Sequence, residues 1–514
     1  MATGVAAPEV RERSIGAVLR TPVGPPVRAL LLVVLGVLAA LAVSTARPAA
    51  AAAKGPSVGA ELTRLVAAGQ LDPTVATSYR DADRRARATL KKLSGTRRVQ
   101  LAAVVSHLDA AAAGGLMAPS RLPALFLTLQ RNRAFWAAAP LPAAGQRLTF
   151  AHSQIVWQFY PGQGLQIQWL GTFGKANALW AARTRDDDLR ALLDEALGLA
   201  TQRAGGLAFE YLFTFDGGRP PWVSGLAQGT ALSALARAAV RLKDPKYFEA
   251  ARAALGIFRT PPPAGIRVAT PAGAHYLQYS FAPRLHIVNG FTQALNGLRD
   301  FAVLANDPEG QALFAAGEAQ LRAELPGFDT GAWSLYSVPG PESDLGYHRL
   351  LRDFLLGLCD RLTEDRRRAA AAPAPAPPPS STMPDTGGTP VAPAAPPPVP
   401  DPALYCDTAQ RFTADLHTRP VVTVTPGPLR AKAAGVVRYS VSKVSTVTVT
   451  VVRQGVVVLS RTARVGHGEH RLGVRPARAQ PLLVRVRAVD LAGNAGAGEV
   501  RLTVAPAARK HPAH

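Results

Sequence analysis

The residues best suited to chemistry lie between Ala274 and Phe291. These positions hold two phenols (Tyr276, Tyr279), two amides (Gln278, Asn289), two imidazoles (His275, His286) and a guanidinium (Arg284). The first half reads as a short strand over Tyr276–Tyr279 that Pro283 stops. An apolar helix pattern then starts with Ile287, Val288, Phe291, Leu295 and Leu298. Polar groups at such a junction stand at the rim of whatever the helices enclose, where ligands meet a packed scaffold. Their chemistry is hydrogen bonding and proton transfer. A strand tyrosine is more often a core residue with its hydroxyl satisfied, and Asn289 reads first as a buried hydrogen-bonder holding the junction.

Other chemistries lack their motifs. His275, His286 and His348 show no i,i+4 pair of the helical metal-binding kind, so no metal is expected. No Gly-x-Ser-x-Gly elbow or Cys/His pairing suggests a nucleophilic hydrolase. The glycines of Gly171-Thr172-Phe173-Gly174-Lys175-Ala176-Asn177 do not follow a strand, so the segment reads as a turn at a helix mouth, not as a phosphate loop.

The 514 residues carry a net charge of +23. Beyond Thr418 there are 16 Lys and Arg against 3 Asp and Glu, so more than half of the excess lies in the last fifth of the chain. Such a surface favours polyanions: acidic polysaccharide, cell-wall polymer or anionic lipid. Arg11, Arg13, Arg20 and Arg28 precede an unbroken apolar run, Ala29 to Val43, followed by small residues. That is the pattern of a secretory leader or an uncleaved membrane anchor. The body is then expected outside the cytoplasm, which argues against nucleic acid as the partner. In an exported chain the only two cysteines, Cys359 and Cys406, are expected to pair.

The elements that must position these groups are mostly helices. Residues 54–146 read as a helical region, with Asp72-Pro73 as a start signal. Alternating polarity from Arg147 to Tyr160 reads as a two-stranded hairpin. Helical segments separated by short strands follow to residue 417, the pattern of an antiparallel α/α barrel with strands at one mouth. The Ala/Pro-rich stretch 369–402 reads as a disordered insertion between two helices of that domain. From Arg419 the period changes to two, and seven strands are expected within 418–506, a β-sandwich of immunoglobulin or fibronectin type. A short tail, 507–514, ends the chain.

Several motifs occur in one order: Trp222-Val223-Ser224-Gly225-Leu226-Ala227-Gln228-Gly229, Val288-Asn289-Gly290-Phe291, Leu325-Pro326-Gly327-Phe328-Asp329-Thr330-Gly331-Ala332-Trp333-Ser334-Leu335-Tyr336, and Tyr347-His348. This region, about residues 222–358, resembles the catalytic domain of the D-glucuronyl C5-epimerases. The resemblance implies inversion of C5 of a uronic acid within a polysaccharide, with no cofactor. The C5 proton lies beside a carboxylate, so its removal leaves an enolate-like anion, and groups on both ring faces are required. The implied catalytic residues are Tyr279, Tyr336 and Tyr347, able to act if nearby charges lower their pKa from ~10. Gln278, Asn289, Arg284, His348, Trp222, Gln228 and Lys175 are the substrate-binding candidates. Trp222 and Trp333 are placed to stack on sugars or to fill the core.

Two departures stand out. The family's carboxylate before the central tyrosine is Gln278 here, and its arginine after the tyrosine matching Tyr336 is absent. Arg284, Lys175 or Arg349 could take the arginine's place. The alternative readings are a polysaccharide lyase or hydrolase on the same scaffold, and a non-catalytic cell-surface glycan binder. The expected partner is an acidic polysaccharide, with a cell-wall or anionic surface for the basic domain; a homodimer is left open.

Overall fold

A computed structural model describes residues 55–371 and 399–507. The leader expected over 1–53, most of the proline-rich insertion and the tail from 508 lie outside the described residues. Within them, no helix is long and apolar enough to cross a membrane. The body is mainly helical with small sheets.

Four helices come first: α1 (Val58–Ala67), α2 (Pro73–Lys92), α3 (Gly95–Ala113) and α4 (Leu122–Ala138). Asp72 caps α2 by accepting the N–H groups of Thr74 and Val75 at 2.8 and 3.1 Å. Buried polar groups join these helices to the next layer. Asn132 in α4 gives and takes a 2.8 Å hydrogen bond with the main chain of Leu165. Arg121, just before α4, pairs at 2.6 Å with the buried Glu210.

The expected hairpin over 147–160 is instead a three-stranded sheet: β1 (Arg147–Leu148), β2 (Trp157–Tyr160) and β3 (Gly164–Ile167). Gly162 and Gly164 have φ of 78° and 75°, and the turn they make returns the chain into β3. The segment after Leu148 leaves the sheet because Glu195 accepts the Ser153 hydroxyl and the Gln154 N–H, both at 2.6 Å.

Helix α5 (Trp169–Ala182) runs straight through Gly171 to Asn177, so the expected turn there is corrected. A Cβ at Gly171 would meet Val156 at 3.1 Å, so this glycine serves packing inside a helix. Next come α6 (Asp186–Gly198), the ribbon β4 (Thr201–Arg203) and β5 (Gly206–Ala208), α7 (Gly225–Leu242) and α8 (Lys246–Ala254). After them come β6 (Arg267–Ala269), β7 (Ala274–Tyr276), β8 (His286–Ile287), α9 (Val288–Leu304) and α10 (Pro308–Glu324). Strand β9 (Ser337–Val338) pairs with β8 and precedes α11 (Leu345–Ala371) and α12 (Ala403–Asp415).

Helices α5, α7, α9 and α11 pack side by side in that order, and α6, α8, α10 and α12 each lie beside the helix before them. Nearly every residue of α7 from Gly225 to Ala239 is buried, as in a helix enclosed on all sides. Contact between α7 and α9 depends on glycine: a Cβ at Gly297 would fall 1.9 Å from the Gly229 carbonyl oxygen. Cys359 of α11 and Cys406 of α12 form a disulfide.

The C-terminal unit alternates as expected. Strands β10 (Val422–Thr425), β11 (Leu429–Arg430), β12 (Gly435–Val441), β13 (Ser445–Arg453) and β14 (Val456–Val465) are followed by β15 (Gly468–Val474), β16 (Leu482–Asp490), β17 (Ala495–Leu502) and β18 (Val504–Ala505). They form a sheet of order β10-β12-β15, a sheet of order β14-β13-β16-β17 and a parallel β11-β18 pair. Val437, Tyr439 and Val441 from one sheet share an apolar cluster with Val447, Val449, Val484 and Val486 from the other.

Candidate functional site

The stretch at the centre of the sequence reading folds differently from a strand. Ala274–Tyr276 pair with β6 and the Leu277 N–H still bonds the Ile266 carbonyl at 3.0 Å; Gln278 to Ser280 then turn against the start of α7. The Leu277 carbonyl accepts the Gly225 N–H at 3.1 Å, and the Val223 carbonyl accepts the Ser280 N–H at 3.0 Å. These bonds compete with strand pairing and hold Gln278 and Tyr279 at the mouth of α7. Gln278 donates its amide N–H to the Tyr279 hydroxyl at 2.9 Å. Its own Oε1 is buried without a partner among the described residues and lies where a Cβ on Gly290 of α9 would sit.

The phenols of Tyr279, Tyr336 and Tyr347 are close enough to act on one another's ionisation. The Tyr336 and Tyr347 rings are 4.6 Å apart between centroids. Leu170, Leu226, Leu350 and Phe354 pack around them. Leu170, Leu226 and Tyr347 lie in the first turns of α5, α7 and α11, so the positive ends of three helix dipoles converge on the phenols. Such a mouth favours a negatively charged guest.

Burial pushes the Tyr279 phenol up to about 12 and raises Tyr336 and Tyr347 further in the same direction. The expectation that neighbouring charges depress them is corrected: desolvation dominates, and the nearby carboxylates, Asp216 for Tyr279 and Asp344 for Tyr347, add to the rise. At neutral pH all three phenols therefore rest protonated.

The other candidates separate clearly. Asn289 is buried at the start of α9, its Oδ1 lacking a partner among the described residues. Arg284 and Arg349 are exposed. Four assignments to substrate contact are corrected. Gln228 is fully buried, with both ends of its amide on the Phe209 main chain at 3.0 and 3.4 Å. Trp222 donates to the Phe213 carbonyl and is covered by Tyr211, stacked at 4.2 Å, and by Phe215. His348 is spent on structure: its Nδ1 accepts the Ser334 N–H at 3.2 Å and its Nε2 faces the Phe412 carbonyl at 3.0 Å. The Lys175 ammonium is held by the Gln154 carbonyl at 2.9 Å and the Gln154 side chain. Trp333 is buried against His348, rings 3.8 Å apart.

Sequence reading missed the other half of the mouth. Gln168, which caps α5, donates to the Tyr160 hydroxyl at 2.7 Å and accepts from the Tyr211 hydroxyl at 3.0 Å. Both phenols are near enough to Arg147 of β1 and to Tyr279 for their ionisation to be coupled. Arg147 has no carboxylate within ion-pair distance among the described residues; its one side-chain hydrogen bond there is to Gln158, at 3.5 Å. Burial lowers its pKa. An arginine in an alternating segment gave no sequence signal, because its lack of an acid is a property of the fold.

His275, His286 and Glu324 also meet, with their ligand atoms within 4.8 Å of one another. Their residue types suit a transition metal. However, the two imidazoles stack 4.0 Å apart at 17°, so an ion in the plane of one ring lies well out of the plane of the other. The cluster is better described as a carboxylate shared by two imidazoles, with His275 Nδ1 at 2.8 Å.

Residues 204–366 match the family model described as D-glucuronyl C5-epimerase C-terminus. A D-glucuronyl C5-epimerase of Caenorhabditis elegans is 33% identical over 132 residues, 23% of this chain and 21% of that protein. An uncharacterized protein of Methanocaldococcus jannaschii is 25% identical over 149 residues, 28% of this chain and 48% of that one. The chain thus spans between a fifth and a half of the length of these curated relatives. Two solved structures are similar in part. Endo-beta-1,4-glucanase CMCax from Acetobacter xylinum has a TM-score of 0.27 at 14% identity, covering 38% of this chain and 67% of that one. The unsaturated glucuronyl hydrolase of Bacillus sp. GL1, responsible for the degradation of glycosaminoglycan, has a TM-score of 0.30 at 11% identity, covering 48% and 60%. Likenesses this slight carry no weight for fold or reaction.

Proposed function

With residues 204–366 matching the model of the D-glucuronyl C5-epimerase C-terminus, we propose that this protein epimerises C5 of uronic acid residues in an acidic polysaccharide. The observation that carries the reading is the cluster of Tyr279, Tyr336 and Tyr347 at a mouth ringed by helix N-termini.

The reaction breaks the C5–H bond and places a proton on the opposite face. The electron pair left at C5 delocalises into the adjacent carboxylate, so the site must hold that carboxylate and stabilise a second developing charge. Arg147, a half-buried cation with no acid partner among the described residues, is the group for this, assisted by the helix termini. It takes the place assigned to the family's missing arginine. Tyr347, protonated at neutral pH, is the donor, with Tyr336 linking it to Tyr279. Tyr279 is the acceptor once its proton has left to solvent, and the Gln278 amide at 2.9 Å stabilises its phenolate.

In the same reading the paired helices close into an antiparallel α/α barrel, and the C-terminal sheets form an immunoglobulin-like sandwich. The chain is exported, secreted or membrane-anchored. The basic C-terminal unit holds an anionic glycan or cell-wall surface, in which case binding weakens steeply with salt.

The test is incorporation of solvent deuterium at C5 across a panel of uronate polymers. Incorporation without cleavage supports the epimerase. Cleavage supports a lyase or hydrolase. Neither outcome leaves a glycan-binding protein, the reading favoured by Gln278 standing where the family has an acid.

A further inference from the structure

Tyr336 lies on a hairpin that the C-terminal unit grips. Its own N–H bonds the Pro341 carbonyl at 2.9 Å, Leu335 bridges Glu342, and Ser343 N–H bonds the Ser334 carbonyl at 2.8 Å. The arm that returns from Tyr336 therefore carries Glu342 opposite Leu335, one residue past Pro341, the partner of Tyr336. The Glu342 side chain points out of the helical body into two turns of the β unit. Its Oε1 accepts the Val444 N–H at 2.8 Å, its Oε2 accepts the His467 N–H at 2.6 Å, and His467 Nδ1 lies 3.1 Å from Oε2. The carboxylate is only 3% exposed. A buried carboxylate needs such donors, and both main-chain donors come from the other unit.

The base of the same hairpin is clamped by that unit too. Trp333 packs with Leu416 and Val444. Lys443, 1% exposed and paired with Asp490 at 2.9 Å, places its ammonium 5.4 Å from the Trp333 ring centre. It also donates to the carbonyls of Asp415, at 2.7 Å, and Thr418, at the end of α12 and just beyond it. Asn494 donates to the Leu416 carbonyl at 3.0 Å. On its other side the helical body holds the hairpin through the pairing of β9 with β8, through the Ser334 N–H on His348 at 3.2 Å and through the Leu335 N–H on the Phe328 carbonyl at 2.8 Å.

We infer that the C-terminal β unit is a positioning element for Tyr336, acting through Glu342, and that Glu342 is a positioning residue of the reaction. The inference rests on Tyr336 belonging to the reacting cluster, as argued above. It gives the β unit work inside the site, beyond any binding of a surface. A ligand that shifts the turns at Val444 and His467 would be felt at Tyr336.

The experiment uses the full chain with 3-fluorotyrosine placed at position 336, read by fluorine NMR, together with C5 exchange kinetics. Glu342→Ala should shift or broaden the fluorine line and lower kcat by about 10- to 100-fold, the scale of a small misplacement. KM should stay nearly unchanged, because the carboxylate-holding side of the site is intact. Glu342→Gln keeps one acceptor oxygen and should recover part of both signals, and it serves if the alanine variant unfolds. An unmoved fluorine line in a folded Glu342→Ala variant overturns the inference, whatever the kinetics. If the native protein shows no C5 exchange on any polymer, the proposed reaction fails, while the fluorine signal still decides the coupling. If kcat and KM change together with an unshifted line, Glu342 is merely structural.

Discussion

The amide of Gln278 donates to the hydroxyl of Tyr279 at 2.9 Å. A carboxylate at 278 would reverse that bond, because it can only accept. It would draw the Tyr279 proton toward itself and stand as an ionised base at the rim. It would also remove the donor that stabilises the Tyr279 phenolate, so Gln278→Glu should lower the rate of C5 exchange, read by deuterium incorporation. A faster variant would make the carboxylate, and not Tyr279, the acceptor.

Tyr279→Phe and Tyr347→Phe each remove one hydroxyl and keep the ring. Each should lose ~100- to 10,000-fold in exchange rate, the range of a general acid or base, with the unfolding temperature little changed. Equal losses in both and no further loss in the double variant would mark them as one proton path.

Arg147 meets no carboxylate among the described residues, so its loss should be felt in substrate binding. Arg147→Met should raise KM by about 10- to 100-fold, the scale of a charged hydrogen bond, on uronate polymers, with a smaller effect on neutral ones. Arg147→Lys should restore part of it, since one ammonium cannot replace the bidentate fork. An unchanged KM would remove Arg147 from the site.

His348 is held neutral by burial, its pKa pushed down from 6.5 to about 4. The folded state thus binds this proton more weakly than the unfolded chain. The stability His348 contributes is complete above about 6.5 and is lost as pH falls toward about 4. The unfolding temperature should drop over that window, and His348→Gln should flatten that part of the curve. Trp333 lies against the ring, so its fluorescence reports the change.

The Cys359–Cys406 bridge closes a loop with a sequence separation of 47. Loop entropy of that length corresponds to about 4 kcal/mol at most, commonly less. Replacing both cysteines by serine should lower unfolding free energy by ~2–4 kcal/mol in a denaturant titration. A chain cut within 372–398 should stay in one piece on a non-reducing denaturing gel and separate with reductant.

The sequence by itself determined what depends on neighbours along the chain. The Asp72-Pro73 start, the helical spacing of α9 and α11 and the period-two runs of the C-terminal unit reflect local geometry that side chains repeat every turn or every second residue. The two cysteines could pair only with each other. The order of the Trp222, Val288, Leu325 and Tyr347 motifs carried the resemblance. Only the tertiary structure decided which of those groups is available. Gln228 and Trp222 read as site residues because their types suit sugars, yet the Phe209 main chain and the Tyr211 ring consume them. Arg147 had no motif, and it matters because no acid among the described residues folds up against it. Gly171 read as a break and packs inside a helix. The tie from Tyr336 through Glu342 to Val444 and His467 spans more than a hundred residues, and no local pattern encodes it. Burial sets the pKa of the three phenols, and burial exists only once the helices have closed over them.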